Sequence, residues 1–292
     1  MSLGAANEHV HLVGVGGAGM SALARLLRGR GVSVSGSDAM PSEALDALRD
    51  LGMDAWAGTE PQRVPGGGGG HVVRSAAVPL NDPEVARCIE LGYRSSLYAE
   101  AVGVLSRQVK SFALSGAHGK TSTTALTAAA LRGGGLDPSH LIGGDVPELG
   151  GNGYGGSDPV LVVEACEFNR SFLHLDPFAA AVLNVDHDHF DCYPTRRELH
   201  DAYAAFAARV RSGGALLVHE DVPTEIVDAR HADVRLLRVG FGLFADVRAV
   251  DTRDDCGRFS FEPVIDGERL PRVQLQVTGR FHVHNALFAL AM

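Results

Sequence analysis

The sequence predicts an α/β chain of two consecutive parallel-sheet units, the second with some antiparallel strands. Three observations predict it. Short apolar strand patterns alternate with helical patterns. Two glycine-rich loops each follow a strand and open a helix. The last part of the chain turns to alternating runs around an Asp266-Gly267 turn.

Taken in order, "HVHLVGV" (9–15) is a short apolar strand. It meets "GGAGMSALARLLRGRG", where Ala18, Ala22, Leu23, Leu26 and Leu27 recur at helical spacing and Gly31 gives a stop. "VSVSGSD" (32–38) is a second strand, and "PSEALDALRDLG" (41–52) a second amphipathic helix with Pro41 near its start. "HVVRSAAV" (71–78) and "DPEVARCIELG" (82–92) repeat the pair, after a low-complexity "PGGGGG" (65–70) read as a plain connection. The second unit opens with "SFALSG" as a strand and "KTSTTALTAAALRGGG" as a helix closed by glycines. "PVLVVEA" (159–165) and "FAAAVLNVD" (178–186) are buried-type strands. "TRRELHDAYAAFAARVRSGG" (195–214) is a helix, and "ALLVHE" (215–220) a strand. Residues 1–108 are expected to form a Rossmann-like domain and residues 109–292 a P-loop-type α/β domain.

Composition narrows the function classes. The chain has 292 residues, enough for about two domains, and 45% hydrophobic residues. Its formal charge of -9 argues against nucleic-acid binding, which favours a basic footprint. No apolar run reaches the roughly 18 residues of a membrane span. Cys88, Cys166, Cys192 and Cys256 are widely spaced without a C-x-x-C pair. That pattern predicts thiols of a reducing cytosol and a cytoplasmic protein. Among 26 basic residues only Lys110 and Lys120 are lysines, so any chemistry needing a lysine has two candidates.

The first glycine loop, "GVGGAGM", places Gly14, Gly16 and Gly19 in G-x-G-x-x-G between a strand and a helix. Glycines let the backbone approach a diphosphate, and the helix N-terminus supplies amide donors. Asp38 ends the next strand, where a ribose-binding acid belongs. The motif alone fits NAD as well as another diphosphate ligand. The second loop, "LSGAHGKTSTTAL", carries G-x-x-G-K-T at Gly116, Gly119, Lys120 and Thr121. Leu114 stands where the strict P-loop has its first glycine, so this is a shortened variant. Its amides can cradle oxyanions, Lys120 can neutralise terminal phosphates, and the Thr121 hydroxyl can ligate Mg²⁺. Two phosphate sites suggest ATP plus a nucleotide-linked substrate. Glu164 and Glu167 follow one buried strand, and Asp186, His187, Asp188, His189 and Asp191 follow another. In an open parallel sheet these strand ends share a crevice with the P-loop, where carboxylate and imidazole groups can hold metal near phosphate.

With "VSGSD", "VVEACEFNRSFL", "NVDHDHFD", "FGLFADVRA" and "GRFHVHNAL" in order after and around these loops, the chain resembles the Mur ligases. The "GVGGAGM" start resembles their alanine-adding branch. The resemblance implies three domains: one for the UDP moiety, one for ATP, and a C-terminal amino-acid-binding domain absent here. The helical pattern that runs uncapped to Met292 is accordingly read as a truncation. The implied reaction is ATP-dependent amide formation in peptidoglycan precursor synthesis. The lactate carboxylate of UDP-N-acetylmuramate takes the γ-phosphate as an acyl phosphate, and the amine of L-alanine displaces phosphate. Carried over by motif, Gly116, Ala117, His118, Gly119, Lys120, Thr121 and Ser122 hold the ATP phosphates, and Asn285 meets the adenine. Thr121 and Glu164 hold one Mg²⁺ and His189 a second; Lys120, Glu164 and His189 are the implied catalytic residues. Gly14, Gly16, Gly17, Ala18, Gly19, Met20 and Asp38 lie at the uridine nucleotide, with Ser75 and Ala76 nearby. The alternatives are a UDP-sugar- and ATP-binding fragment without turnover, or a related ligase adding another amino acid or a peptide.

Two positions depart from the family pattern. The adenine segment G-x-H-N-x-x-N reads Gly279, Arg280, Phe281, His282, Val283, His284, Asn285, so the His-Asn pair is replaced. No lysine remains for the carbamylated lysine of several other Mur ligases, consistent with the alanine-adding branch.

Overall fold

The computed structural model describes residues 3, 8–66, 69–186 and 192–292. They form two compact units. The first contains β1 (His9–Val13), α1 (Ala18–Gly29), β2 (Ser33–Asp38), α2 (Glu43–Asp50), β3 (Asp54–Ala57), β4 (Gly70–Arg74), α3 (Pro83–Glu90), β5 (Arg94–Leu97) and α4 (Tyr98–Gln108). The chain then enters the second unit for β6 (Lys110–Ser115) and α5 (Lys120–Gly133). Residues 137–161, with β7 (Ser139–Leu141) and β8 (Gly153–Tyr154), pack with the first unit. The second unit resumes at Val162, inside β9 (Val160–Glu164).

The first sheet is parallel throughout, in the order β3-β2-β1-β4-β5. That is a Rossmann-type order, with its reversal between β1 and β4. α1 buries Met20, Leu23, Leu26 and Leu27. Ser42 caps α2 by accepting from the Leu45 amide, so Pro41 lies outside the helix. Asp82 caps α3, with Pro83 in its first turn. Residues 137–161 reach α1 by backbone. A Cβ on Gly153 would meet the Ala22 carbonyl at 2.0 Å, and one on Gly155 the Leu26 carbonyl at 2.3 Å. Only glycine fits at that separation, and Asn152 Nδ2 fixes it by donating to the Ala18 carbonyl at 2.9 Å.

The second unit continues with β10 (Ala179–Val182), α6 (Arg196–Ala207), β11 (Ala215–His219), α7 (Thr224–Val227) and β12 (Arg235–Gly240). It ends with β13 (Val247–Asp255), β14 (Arg258–Ile265), β15 (Glu268–Arg269), β16 (Val273–Thr278) and α8 (Phe281–Ala291). Its strands run β15-β14-β13-β12-β11-β10-β6-β9, with β16 on β14. β6, β10, β11 and β12 pair in parallel; β13, β14, β15 and β16 pair antiparallel. The expected Asp266-Gly267 turn joins β14 to β15 with both residues at positive φ. α6 starts on a capping box, Thr195 with Glu198, legible as T-R-R-E in the sequence. Phe172, stacked 4.8 Å from Phe206 and edge-on to Tyr203, fills the core under that helix.

Candidate functional site

The first unit brings its predicted residues to the C-terminal ends of β1, β2 and β4, at the order reversal. Gly14 and Val15 donate their amides to the Ser37 carbonyl at 2.8 and 2.9 Å, which folds the loop back onto β2. Asp38 Oδ2 accepts from the Gly16 amide at 2.9 Å, and its Oδ1 from the Met40 amide at 3.2 Å. A Cβ on Gly14 would lie 2.8 Å from Ser75 Oγ, and one on Gly16 2.9 Å from Asp38 Oδ2. Gly19 faces the Tyr98 ring, whose Cζ would lie 2.9 Å from a Cβ there. So Gly14, Gly16, Asp38 and Ser75 come together around one loop. Gly17 precedes α1 as its N-cap, while Ala18, Gly19 and Met20 form its first turn. Ala76 is exposed in the turn after β4.

Glu84 supports this loop from below, and no sequence motif marks it. Its buried carboxylate accepts from Ser37 Oγ, Trp56 Nε1 (3.0 Å) and the Glu60 amide (2.5 Å), with His11 Nε2 at 3.5 Å. These hydrogen bonds outweigh burial and hold its pKa below the usual glutamate range. A second chain runs from His11 Nδ1 through Ser35 Oγ to His9.

In the second unit, Gly119 is the N-cap of α5 in the left-handed region, φ 84°. Lys120 is the first helical residue. Its ammonium donates to the Gly116 carbonyl at 2.6 Å, the Ala117 carbonyl at 3.3 Å and both Glu167 oxygens at 3.0 Å. The Lys120–Glu167 pair is largely buried. Tyr193 in turn donates its hydroxyl to the Glu167 carbonyl at 2.7 Å, and burial pushes the phenol up to about 12. The loop is also clamped from the end of β10. Asn184 Oδ1 accepts from the His118 amide and its Nδ2 donates to the His118 carbonyl, both at 2.9 Å. Along α5, Thr123, Thr124 and Thr127 return their hydroxyls to carbonyls four residues back, which lets a threonine-rich face be buried.

Thr121 and Ser122 follow on the first turn of α5, Thr121 exposed. Glu164 ends β9 and is half-buried. A cavity of about 580 Å³ opens beside Gly119 and Ser122 and is walled by Asn184, Phe281, His284 and Asn285. Asn285 therefore stands in the same cavity as the loop. His187, Asp188, His189 and Asp191 lie outside the described residues. Among the described residues no group of three or more His, Cys, Asp or Glu side chains could hold a metal ion.

Sequence reasoning passed over Asn184 and gave Glu167 no role. Both lay inside motifs it quoted, "NVDHDHFD" and "VVEACEFNRSFL". The signal available was position, since each follows a buried strand on either side of β6.

A family model for the Mur ligase catalytic domain matches residues 9–110, and one for the Mur ligase middle domain matches residues 114–292. The chain is 40% identical over 287 residues to the UDP-N-acetylmuramate–L-alanine ligase of Kineococcus radiotolerans, covering 96% of this chain and 60% of that protein. It is likewise 40% identical over 286 residues to the protein of the same name from Acidothermus cellulolyticus, covering 97% and 59%. It thus spans about 60% of the length of these curated relatives. Among solved structures, UDP-N-acetylmuramate-alanine ligase from Thermotoga maritima is similar in fold, with a TM-score of 0.77 at 23% identity over 97% of this chain and 64% of that one. The Neisseria UDP-N-acetylmuramate:L-alanyl-gamma-D-glutamyl-meso-diaminopimelate ligase gives 0.80 at 23% identity, covering 98% and 92%. No helix among the described residues is long and apolar enough to cross a membrane. The chain belongs to the Mur ligase family.

Proposed function

We propose that this chain supplies the UDP-sugar-binding and ATP-binding parts of a cytoplasmic ligase that joins L-alanine to the lactate carboxylate of UDP-N-acetylmuramate. The observation that carries the reading is the second loop. A largely buried lysine at a helix N-terminus is held in place by Glu167 and two loop carbonyls, beside a cavity wide enough for a nucleoside. Phosphoryl transfer from ATP needs positioning and charge neutralisation more than covalent protein chemistry. Lys120 supplies the charge, and the loop amides and the α5 dipole supply oriented donors. In the first unit the first-turn amides of α1, at Ala18, Gly19 and Met20, receive the uridine diphosphate, since the Gly14, Val15 and Gly16 amides are engaged by Ser37 and Asp38. The donor set there suits a diphosphate that stays bonded, since no cation need follow developing charge.

The residues present fit a magnesium ion. Thr121 presents a hydroxyl on the first turn of α5, and Glu164 a carboxylate at the end of β9. Hard oxygen ligands with phosphate are what Mg²⁺ takes. The ion would screen the phosphate oxygens while Lys120 holds the terminal phosphates. His189, assigned to a second ion by resemblance, belongs to the same proposal.

The test pairs binding with turnover. Calorimetry on the 292-residue chain is expected to show one site for UDP-N-acetylmuramate and one for ATP. In a protein of the relatives' full length, phosphate release is expected only with ATP, UDP-N-acetylmuramate and L-alanine together. Release without the sugar nucleotide refutes the ligase reading. Preference for a peptide over L-alanine assigns the chain to a neighbouring branch of the family.

A further inference from the structure

The strands under the first glycine loop carry polar residues at every second position. "HVH" in β1 sets His9 and His11, and "SVSGS" in β2 sets Ser33, Ser35 and Ser37. The register pairs His9 with Ser33, His11 with Ser35 and, across to β3, Ser37 with Trp56, so these residues share one face of the sheet. Alternation of this kind ordinarily marks a solvated strand face, yet His11, Ser35, Ser37 and Trp56 are buried here. Against that face α3 sets Glu84, 1% exposed. Its two oxygens meet different elements. Oε1 accepts from Trp56 Nε1 at 3.0 Å and from the Glu60 amide at 2.5 Å. Oε2 accepts from Ser37 Oγ, with His11 Nε2 at 3.5 Å. Oε1 thus anchors the carboxylate while Oε2 holds the end of β2. Ser37 is the residue whose carbonyl takes the Gly14 and Val15 amides, and Asp38 beside it takes the Gly16 amide.

We propose that Glu84 is a positioning residue for the sugar nucleotide: through Ser37 it sets the path of the glycine loop, and so where the first-turn amides of α1 meet the diphosphate. The inference rests on the reading of this loop as the UDP site. Glu84 is too deeply buried to meet the ligand itself. Filling this space would not require a charge, because apolar side chains of similar volume pack as well or better. What the carboxylate adds is direction. It is an acceptor only, so every partner must point a hydrogen at it. Its hydrogen bonds outweigh burial and keep it ionised. Ser37 is thereby held at its side chain by Glu84 and at its carbonyl by two loop amides. Anion binding at a helix N-terminus depends on how the free amides are aimed, and such bonds weaken steeply as the angle closes.

The test is calorimetric titration of the 292-residue chain with UDP-N-acetylmuramate and with ATP, each variant held below its melting temperature. Glu84→Gln keeps the volume and replaces one acceptor oxygen with a donor. It is expected to lose on the order of tenfold in UDP-N-acetylmuramate affinity, with ATP affinity unchanged. Ser37→Ala removes the same link from its other end and is expected to lose a similar factor. The double variant is expected to lose no more than the larger single loss, because one link is removed in each case. Trp56→Phe takes a donor from Oε1 and leaves Oε2 on Ser37. It is expected to lower the melting temperature and keep the sugar-nucleotide affinity, which separates position from stability. Should Glu84→Gln fail to fold, Ser37→Ala decides alone, and normal affinity there overturns the inference. Normal affinity in Glu84→Gln with a loss in Gly16→Ala overturns the role of Glu84 and leaves the loop as the UDP site. Normal affinity in both overturns both readings. Losses that add in the double variant, or a loss in Trp56→Phe equal to that in Glu84→Gln, mark Glu84 as structural and overturn the inference.

Discussion

The two glycine loops solve the same backbone problem and differ in charge. Each follows a parallel strand and opens a helix, and each needs glycine where a side chain would collide. The Gly14–Gly19 loop is closed by an acid: Asp38 accepts the Gly16 amide, and Ser37, tied to Glu84, takes two more amides. The Gly116–Lys120 loop is closed by a cation, with Lys120 held between two carbonyls and Glu167. A ligand that only needs holding can be met by neutral amides. A phosphate to be transferred needs a fixed positive charge where negative charge moves. The difference supports the proposed placement of UDP at one loop and ATP at the other better than either glycine pattern does.

Substitutions can break this contrast. Lys120→Ala is expected to have the largest effect, about 10² to 10³ in turnover of a full-length enzyme. ATP binding to the 292-residue chain should weaken with it, while UDP binding stays the same. Equal loss for both nucleotides would remove the distinction between the loops. Glu167→Gln keeps a hydrogen-bonding side chain but leaves a largely buried ammonium without its charged partner. Urea unfolding is expected to show a loss of about 2 kcal/mol. Unaltered stability would mean the pair does not hold Lys120.

Gly16→Ala comes next. Its Cβ would crowd the Asp38 carboxylate, so UDP affinity should fall on the order of tenfold, about 1.4 kcal/mol, with ATP affinity unchanged in the same titration. The smallest effect concerns pH. Burial lowers the pKa of His284 from the ordinary 6.5 to about 4, with His219 and Arg280 acting in the same direction and Glu220 and Asp221 opposing. Between those values the unfolded chain binds a proton that the folded chain does not. Stability should therefore fall as pH drops from 6.5 to about 4, and His284 should add no further loss below that. In His284→Phe the fall over that window should be shallower. Parallel stability curves for the two proteins would show that His284 does not carry it.

Local signals made much of the fold legible. The period of α1, the T-R-R-E start of α6 and the Asp266-Gly267 turn each depend on residues within a few positions. β3 and β5 went unseen because "DAWA" and "RSSL" are four residues each and show no apolar alternation. The Cys256-Gly257 turn between β13 and β14 went unseen because cysteine is an unusual residue at positive φ.

The sequence by itself determined the order of elements, the two loops and the lysine that one of them carries, because these follow from backbone sterics and short-range periodicity. Tertiary structure alone decided who partners whom. It placed Glu167 on Lys120 across 47 positions, Asn184 on His118 across 66, and Glu84 beneath Ser37 across 47. It also put residues 137–161 against α1 and left His284 with a buried, unpartnered Nε2. Such pairings depend on which strands lie side by side, and burial gives them their strength. Neither is written in any window of neighbouring residues.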